Sequence, residues 1–248
     1  MKLAANLTFL FGDAPMWKKI DAAADAGFAG VEVLQPYGEN AADLRHRLDA
    51  AGPSLVLINT SEPDWDAGGR GYAAVPGAGD RFRASLDDTL AFADAAACPR
   101  IHILAGIAEG EAARESYLAN LAHAAAQAPD MAFSIEPLNA LDQPGYFLNG
   151  FELALGVLEE LSRPNLGLQF DTYHAARMGK DLSALWERCG AWVRHVQVAG
   201  PDRHEPGPGE VAFLRHIGNL GYTGWISGEY VPAGRTEDGL DWLTQLRA

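Results

Sequence analysis

The chain has 248 residues, 48% of them hydrophobic and 21% charged, which excludes a disordered composition and provides enough apolar material for a large core. A formal net charge of -14 opposes a nucleic-acid partner, because no Lys/Arg cluster offsets it locally. The cysteines, Cys98 and Cys189, have neither zinc-like spacing nor a disulfide framework, and no apolar run approaches the ~20 residues of a membrane helix. The first residues, Met1-Lys2-Leu3-Ala4-Ala5-Asn6, are short of a signal peptide and soon polar, so a cytoplasmic protein is expected.

Short apolar runs alternate with longer Ala/Leu-rich stretches. Strands are predicted at residues 3–7, 30–34, 54–59, 100–104, 132–136, 166–171, 193–198 and 225–229. Several are continuously apolar, as strands covered on both faces should be. Helices are predicted between them. The first, at 15–26, follows Asp13-Ala14-Pro15, an acceptor and then a first-turn proline, and stops at Gly27. The others fall at 40–51, 79–97, 112–128, 150–161, 180–190, 209–220 and 236–246, most of them closed by Gly or Pro.

Eight β-then-α units in a chain of this length predict an α/β fold, a single (β/α)8 TIM barrel spanning 1–248 as one catalytic domain. An open doubly wound sheet is the alternative, but no glycine-rich phosphate loop follows the first strand. The longest loop, 62–79, is rich in Gly, Asp and Pro. It follows the third strand on the face where barrel active sites sit, which suits a lid.

Catalytic side chains of such barrels sit at the C-terminal strand ends. Strands five to eight close or nearly close on Glu136, Asp171, Gln197 and Glu229. Three carboxylates brought to one rim repel each other, and a divalent cation relieves that repulsion. An all-oxygen set suits one Mg2+ or Mn2+ ion. Each acid alone has a plainer reading, a rim residue with a structural partner. Four polar strand ends in succession favour the joint one.

His174 lies three residues beyond Asp171, and Arg203 and His204 lie in the loop after strand seven. These three are candidates for binding a substrate carboxylate or hydroxyl. For Arg203 and His204 the competing reading is that they pin a Pro/Gly-rich loop. His102 reads as a hydrogen-bonded histidine of the barrel interior, and His195 as a support for a ligand rather than a ligand. His46, His123 and His216 fall on helices. Phe9, Trp17, Tyr37 and Trp65 offer an apolar wall over a small substrate or ordinary packing.

Four segments carry a family resemblance. They are Ile135-Glu136-Pro137-Leu138-Asn139, Gln169-Phe170-Asp171-Thr172-Tyr173-His174, His195-Val196-Gln197-Val198-Ala199 with Arg203-His204-Glu205-Pro206-Gly207, and the run from Gly221 through Trp225 to Glu229-Tyr230. Together they resemble the hydroxypyruvate isomerase family of the xylose isomerase-like barrel superfamily, over nearly the whole chain. The resemblance implies one divalent metal held by Glu136, Asp171, Gln197 and Glu229, with the two glutamates also acting as acid/base groups. It further implies that His174 and Arg203 line the substrate site. Related sugar epimerases usually carry His in place of Gln197. Two positions depart from the pattern: Gly200 stands where an Asp is common, and Gln35 where an aromatic precedes Pro36-Tyr37.

The activity so implied is interconversion of hydroxypyruvate and tartronate semialdehyde through an enediolate. The same site would serve a 2-oxotetronate isomerase or a ketose 3-epimerase. An abasic-site endonuclease would need several more histidine ligands and a basic groove. A non-catalytic barrel that binds small acids would be expected to lack one of the two glutamates. The expected partner is a small hydroxy-oxo acid or sugar-like substrate, without nucleic acid or membrane, and the sequence is silent on oligomeric state.

Overall fold

Parallel strands covered on both faces must be apolar on the side that meets the helices, and the chain obeys this rule throughout. The computed structural model describes residues 1–247. Its strands are β1 (Lys2–Asn6), β2 (Gly30–Val33), β3 (Ser54–Asn59), β4 (Arg100–His102), β5 (Ala132–Ile135), β6 (Leu166–Asp171), β7 (Val193–Val198) and β8 (Trp225–Gly228). All neighbours pair in parallel, and β8 pairs with β1 to close the barrel. The expected fold class is therefore the observed one. Among the described residues no helix is long and apolar enough to cross a membrane.

The outer layer consists of α1 (Met16–Asp25), α2 (Ala41–Ala51), α3 (Gly79–Ala96), α4 (Glu111–Gln127), α5 (Phe151–Leu161), α6 (Thr172–Arg177), α7 (Leu182–Cys189), α8 (Pro208–Asn219) and α9 (Asp241–Arg247). Side-chain caps set several starts. The Asn40 oxygen accepts the Ala42 and Asp43 N–H groups ahead of α2, and Asp181 accepts that of Ala184 ahead of α7. Two expectations need correction. The short helix α6 was not expected; it forms because Asp171 Oδ1 accepts the N–H groups of Tyr173 and His174 at 2.6 and 3.1 Å. The helix expected at 236–246 is instead a 3-10 turn, Thr236–Gly239, followed by α9.

The packed layer between barrel and helices is apolar, and Phe170 is its clearest junction. This fully buried β6 ring lies 5.5 Å from the ring centroids of Phe151 on α5, Trp186 on α7 and Phe213 on α8. It thus ties three helices to the strand that presents Asp171. Inside the barrel the pattern reverses. Above a small floor of Ala4, Val56 and Leu57, the inward positions are polar: Asn6, Glu32, Ser134, Gln169, His195 and Gln197 are all fully buried.

Truncation of Phe170 to Ala should cost about 3–5 kcal/mol in urea denaturation, the usual range for a large aromatic removed from a core. A loss below about 1 kcal/mol would mean that the three helices close over the hole.

Candidate active site

The loops after β1, β3, β5, β6 and β7 enclose a cavity of about 240 Å3 at the C-terminal mouth of the barrel. Glu136 and Glu229 form part of its floor, with His102 beside them, and Phe9, Trp65, Leu104 and Leu138 supply apolar walls. Asn59, Arg70, Gln143, His174 and Arg203 complete the polar lining. Of the aromatics singled out above, Phe9 and Trp65 reach this cavity. Tyr37 is packed edge-on against Phe92, and Trp17 is exposed.

Glu136, Asp171, Gln197 and Glu229 arrive at one rim, as the strand ends predict, and each is buried. What holds them is a relay of amides that starts below. Ser134 donates to Gln169 Oε1 at 3.1 Å, and Gln169 Nε2 donates to Glu136 Oε2 at 2.8 Å and to Gln197 Oε1 at 2.7 Å. Gln197 Nε2 then donates to Glu32 Oε1 at 2.7 Å and to Glu229 Oε2. Asn6 Nδ2 bridges Glu32 and Glu229 at 2.8 and 2.9 Å, and His195 Nε2 lies 2.7 Å from Glu32 Oε2. Glu32 is therefore a fourth buried carboxylate, surrounded by donors at the centre of the mouth. Glu32, Gln169 and Asn6 were not recognised as site residues. The signal for Glu32 was present, since a charged residue within the apolar strand Gly30-Val31-Glu32-Val33 rarely goes inside without a role.

Crowding shows in the acidities. Burial, and then the charges of Asp171 and Glu229, push the Glu136 carboxyl well above the ordinary carboxylate range against the pull of Arg203. Burial likewise raises Glu229 well above that range, with Arg203 opposing and Asp171 and Glu32 adding to it. Burial raises Asp171 to about 6, although Arg203 and the two N–H groups of α6 favour its charged form.

Three features of this set fit a divalent cation. Glu136 Oε1 is buried with no hydrogen-bond partner, an arrangement that ordinarily costs about 1–3 kcal/mol or more. The second oxygen of Asp171 makes no hydrogen bond among the described residues. The Gln197 amide oxygen, already accepting from Gln169, keeps a lone pair.

Ligand-type atoms of Glu136, Asp171 and His174 lie within 4.8 Å of one another, so His174 belongs to the same cluster. Its tautomer argues for a donor role within it. Nδ1 accepts the backbone N–H of Asn139 at 3.0 Å and faces Asn139 Nδ2 at 2.8 Å. The ring proton therefore resides on Nε2. Burial, and then the charge of Arg203, lower the His174 pKa to about 3, so the ring is neutral at pH 7. His174 thus offers one fixed N–H donor at the cavity wall.

Arg203 donates to Glu229 Oε1 at 3.0 Å, and its guanidinium lies 5.0 Å from the ring centroids of both Phe9 and Tyr173. Burial alone would lower its pKa, but Glu229, Asp171 and Glu136 outweigh burial and keep it charged. Its backbone is left-handed, with φ of 59°, in a tight turn closed by Arg203 N–H to the Gly200 carbonyl at 2.9 Å. That turn explains the departure at Gly200, where a Cβ would sit 2.7 Å from the Glu205 carbonyl oxygen. His204 stands apart. It is exposed, and its Nδ1 lies 2.7 Å from the Val231 carbonyl, so it ties down the loop outside the cavity. His102, 3.6 Å from Glu136 and beside Asn59, is a buried histidine lowered to about 3 by burial and by His195.

A family model described as xylose isomerase-like TIM barrel matches residues 20–246. The chain is 40% identical to a 2-oxo-tetronate isomerase of Cupriavidus necator, over 98% of this chain and 97% of that one. It is 34% identical to the hydroxypyruvate isomerase of Escherichia coli K12, over 100% of both chains. The crystal structure of AP endonuclease, family 2 from Brucella melitensis superposes with a TM-score of 0.94 at 38% identity, covering 98% of each chain. The chain therefore belongs to the xylose isomerase-like TIM barrel family, among its hydroxypyruvate isomerase-like isomerases.

Proposed function

We propose that the protein interconverts hydroxypyruvate and tartronate semialdehyde, an aldose–ketose type isomerisation, with Glu136 and Glu229 as its proton carriers. The observation that carries this reading is that two buried glutamates, held by one amide relay, face one small cavity. Burial and neighbouring carboxylates raise both carboxyls above the ordinary range, which favours proton uptake by either one.

In the forward direction one glutamate takes a proton from C3, the hydroxyl-bearing carbon, and the electron pair moves into an enediolate across C2 and C3. A proton is returned to C2, and the O3 proton passes to O2, so an aldehyde stands at C3 and a carbinol at C2. Negative charge gathers on the C2 oxygen as the carbanion forms. The His174 Nε2–H and the Arg203 guanidinium are fixed donors to that charge, and being in place beforehand they need no reorganisation. The apolar walls keep water from the intermediate. A divalent cation, Mg2+ or Mn2+ by its oxygen donors, would be held by Glu136, Asp171, Gln197 and Glu229 and would supply Lewis-acid polarisation of the substrate oxygens.

The four-carbon 2-oxotetronate is a second reading, supported by the 40% identity to an isomerase of that name. The two share the same proton shift and differ by one carbinol carbon. Comparing kcat/KM for the two acids, with a ketose as third substrate, decides between them. An endonuclease reading finds less support. Among the described residues one group of three or more acidic, His or Cys side chains is close enough to share an ion.

Glu136→Gln and Glu229→Gln should each lower turnover by about 1000-fold or more while the thermal midpoint is kept, because each removes a proton carrier. A variant that keeps a tenth of wild-type kcat would overturn the two-carboxylate scheme. Exhaustive chelation should abolish activity, and Mg2+ or Mn2+ should restore it; activity indifferent to chelation would remove the cation from the scheme. Because the carboxyl pKa values are raised, protons compete with the cation at low pH. Mn2+ affinity in calorimetry should therefore weaken by roughly tenfold or more from pH 7 to pH 5. A flat profile would mean that these carboxylates are not the ligands.

A further inference from the structure

A hydroxy-oxo acid brings its own carboxylate into a mouth that already holds Glu32, Glu136, Asp171 and Glu229. Something must offset that repulsion. Of the basic side chains that line the cavity, His102 and His174 are engaged within the protein, His102 Nδ1 lying 3.1 Å from Asn59 Oδ1 and His174 Nδ1 accepting the Asn139 N–H at 3.0 Å. Arg203 is charged, but its charge is matched by Glu229, which it contacts at 3.0 Å, and by Asp171 and Glu136 nearby. Arg70 remains.

Arg70 lies in the loop between β3 and α3, and no carboxylate of the described residues is within 4.0 Å of its guanidinium. Its position is nonetheless built. The guanidinium stacks 4.5 Å over the Trp65 ring. Nε donates to Gln143 Oε1 at 3.0 Å, and Nη1 donates to the carbonyls of Gly69 at 2.6 Å and Trp65 at 3.4 Å. Nη2 makes no hydrogen bond among the described residues.

The backbone on either side is equally constrained. Glu62, almost fully buried, accepts from the Gly71 N–H, from the Tyr72 hydroxyl at 2.6 Å and from the Asp64 N–H at 3.0 Å. Gly71 bridges to Ala105 with φ of 97°, and a Cβ there would lie 2.4 Å from Leu104. The loop expected as a lid is thus a clamped wall, and the clamp aims an uncompensated arginine at the cavity.

We propose that Arg70 receives the carboxylate of the substrate and selects short oxo acids over neutral sugars of the same length. The assignment rests on the oxo-acid reading given above. A guanidinium whose Nη2 keeps its N–H groups unbonded can donate to a carboxylate oxygen with the attraction of a full charge, and prior stacking means that little side-chain freedom is lost on binding. With the carboxylate at Arg70, the adjacent carbonyl and carbinol carbons are left for Glu136 and Glu229.

The test compares wild type with Arg70→Met and Arg70→Lys. Arg70→Met should raise KM for hydroxypyruvate or 2-oxotetronate by about 30-fold or more, the usual loss for a hydrogen bond to a charged group, with kcat changed far less. Arg70→Lys should recover part of that loss, and thermal midpoints control for a disturbed loop. In calorimetry, affinity for the anion glycerate should fall in parallel, while any binding of neutral glycerol stays as in wild type. Equal KM and equal glycerate affinity in Arg70→Met overturn the assignment, as does an equal loss for glycerol. If wild type binds glycerate but turns over neither acid, the isomerase reading fails; a drop in glycerate affinity in Arg70→Met then still supports Arg70. If wild type neither binds glycerate nor turns over either acid, both readings fall.

Discussion

Four carboxylates buried at one end of a barrel are an electrostatic load that everything around them is arranged to bear. At 4 Å separation two such charges repel by about 4 kcal/mol even in a moderately polarisable interior. The chain answers mainly with amide donors rather than with a matching number of arginines or lysines. Asn6, Gln169, Gln197 and His195 form a continuous hydrogen-bonded layer under the acids, and one arginine, Arg203, reaches in from above. Amides can donate and accept at once, so they pass order along the layer without adding charge. An orphaned oxygen on Glu136 is the open end of the cluster.

The same economy governs the cavity wall. Asn139 fixes the proton of His174 on Nε2 and also contacts Asp142, which accepts from the Tyr173 hydroxyl at 2.6 Å. Tyr173 in turn packs beside Arg203. The donors facing the cavity are therefore set by the loop after β5 and by α6 acting together. Across the cavity, the Arg70 loop joins the same construction through Gln143. The Gln35 departure has its place here. Gln35 donates to the Thr60 carbonyl at 3.0 Å and accepts the Glu62 N–H at 3.1 Å, so it anchors the start of that loop.

Arg203 and His204 show how neighbouring residues diverge. The left-handed backbone at Arg203 turns its side chain under Phe9 toward Glu229, and the next residue consequently points away from the barrel axis toward the Val231 carbonyl. One residue of the pair faces the cavity, and the other holds the loop that makes this possible.

By itself the sequence determined the barrel and its polar rim. Apolar runs bounded by Gly and Pro recur with the spacing of β/α units, and Glu136, Asp171, Gln197 and Glu229 each fall where such a run ends, so their convergence follows from closure alone. It did not disclose the residues beneath and around them. Gln169 and Asn6 sit within strands, where a linear reading cannot tell the barrel-facing side from the helix-facing side until the register is known, whereas the charge of Glu32 in an apolar strand is a legible signal. Helix α6 is too short to carry a period and exists because Asp171 caps it. Arg70 lies 66 positions before Glu136 in a loop without periodicity, and its role depends on which charges near it are already matched. Charge balance is a property of three-dimensional neighbours, and only the tertiary structure decides it.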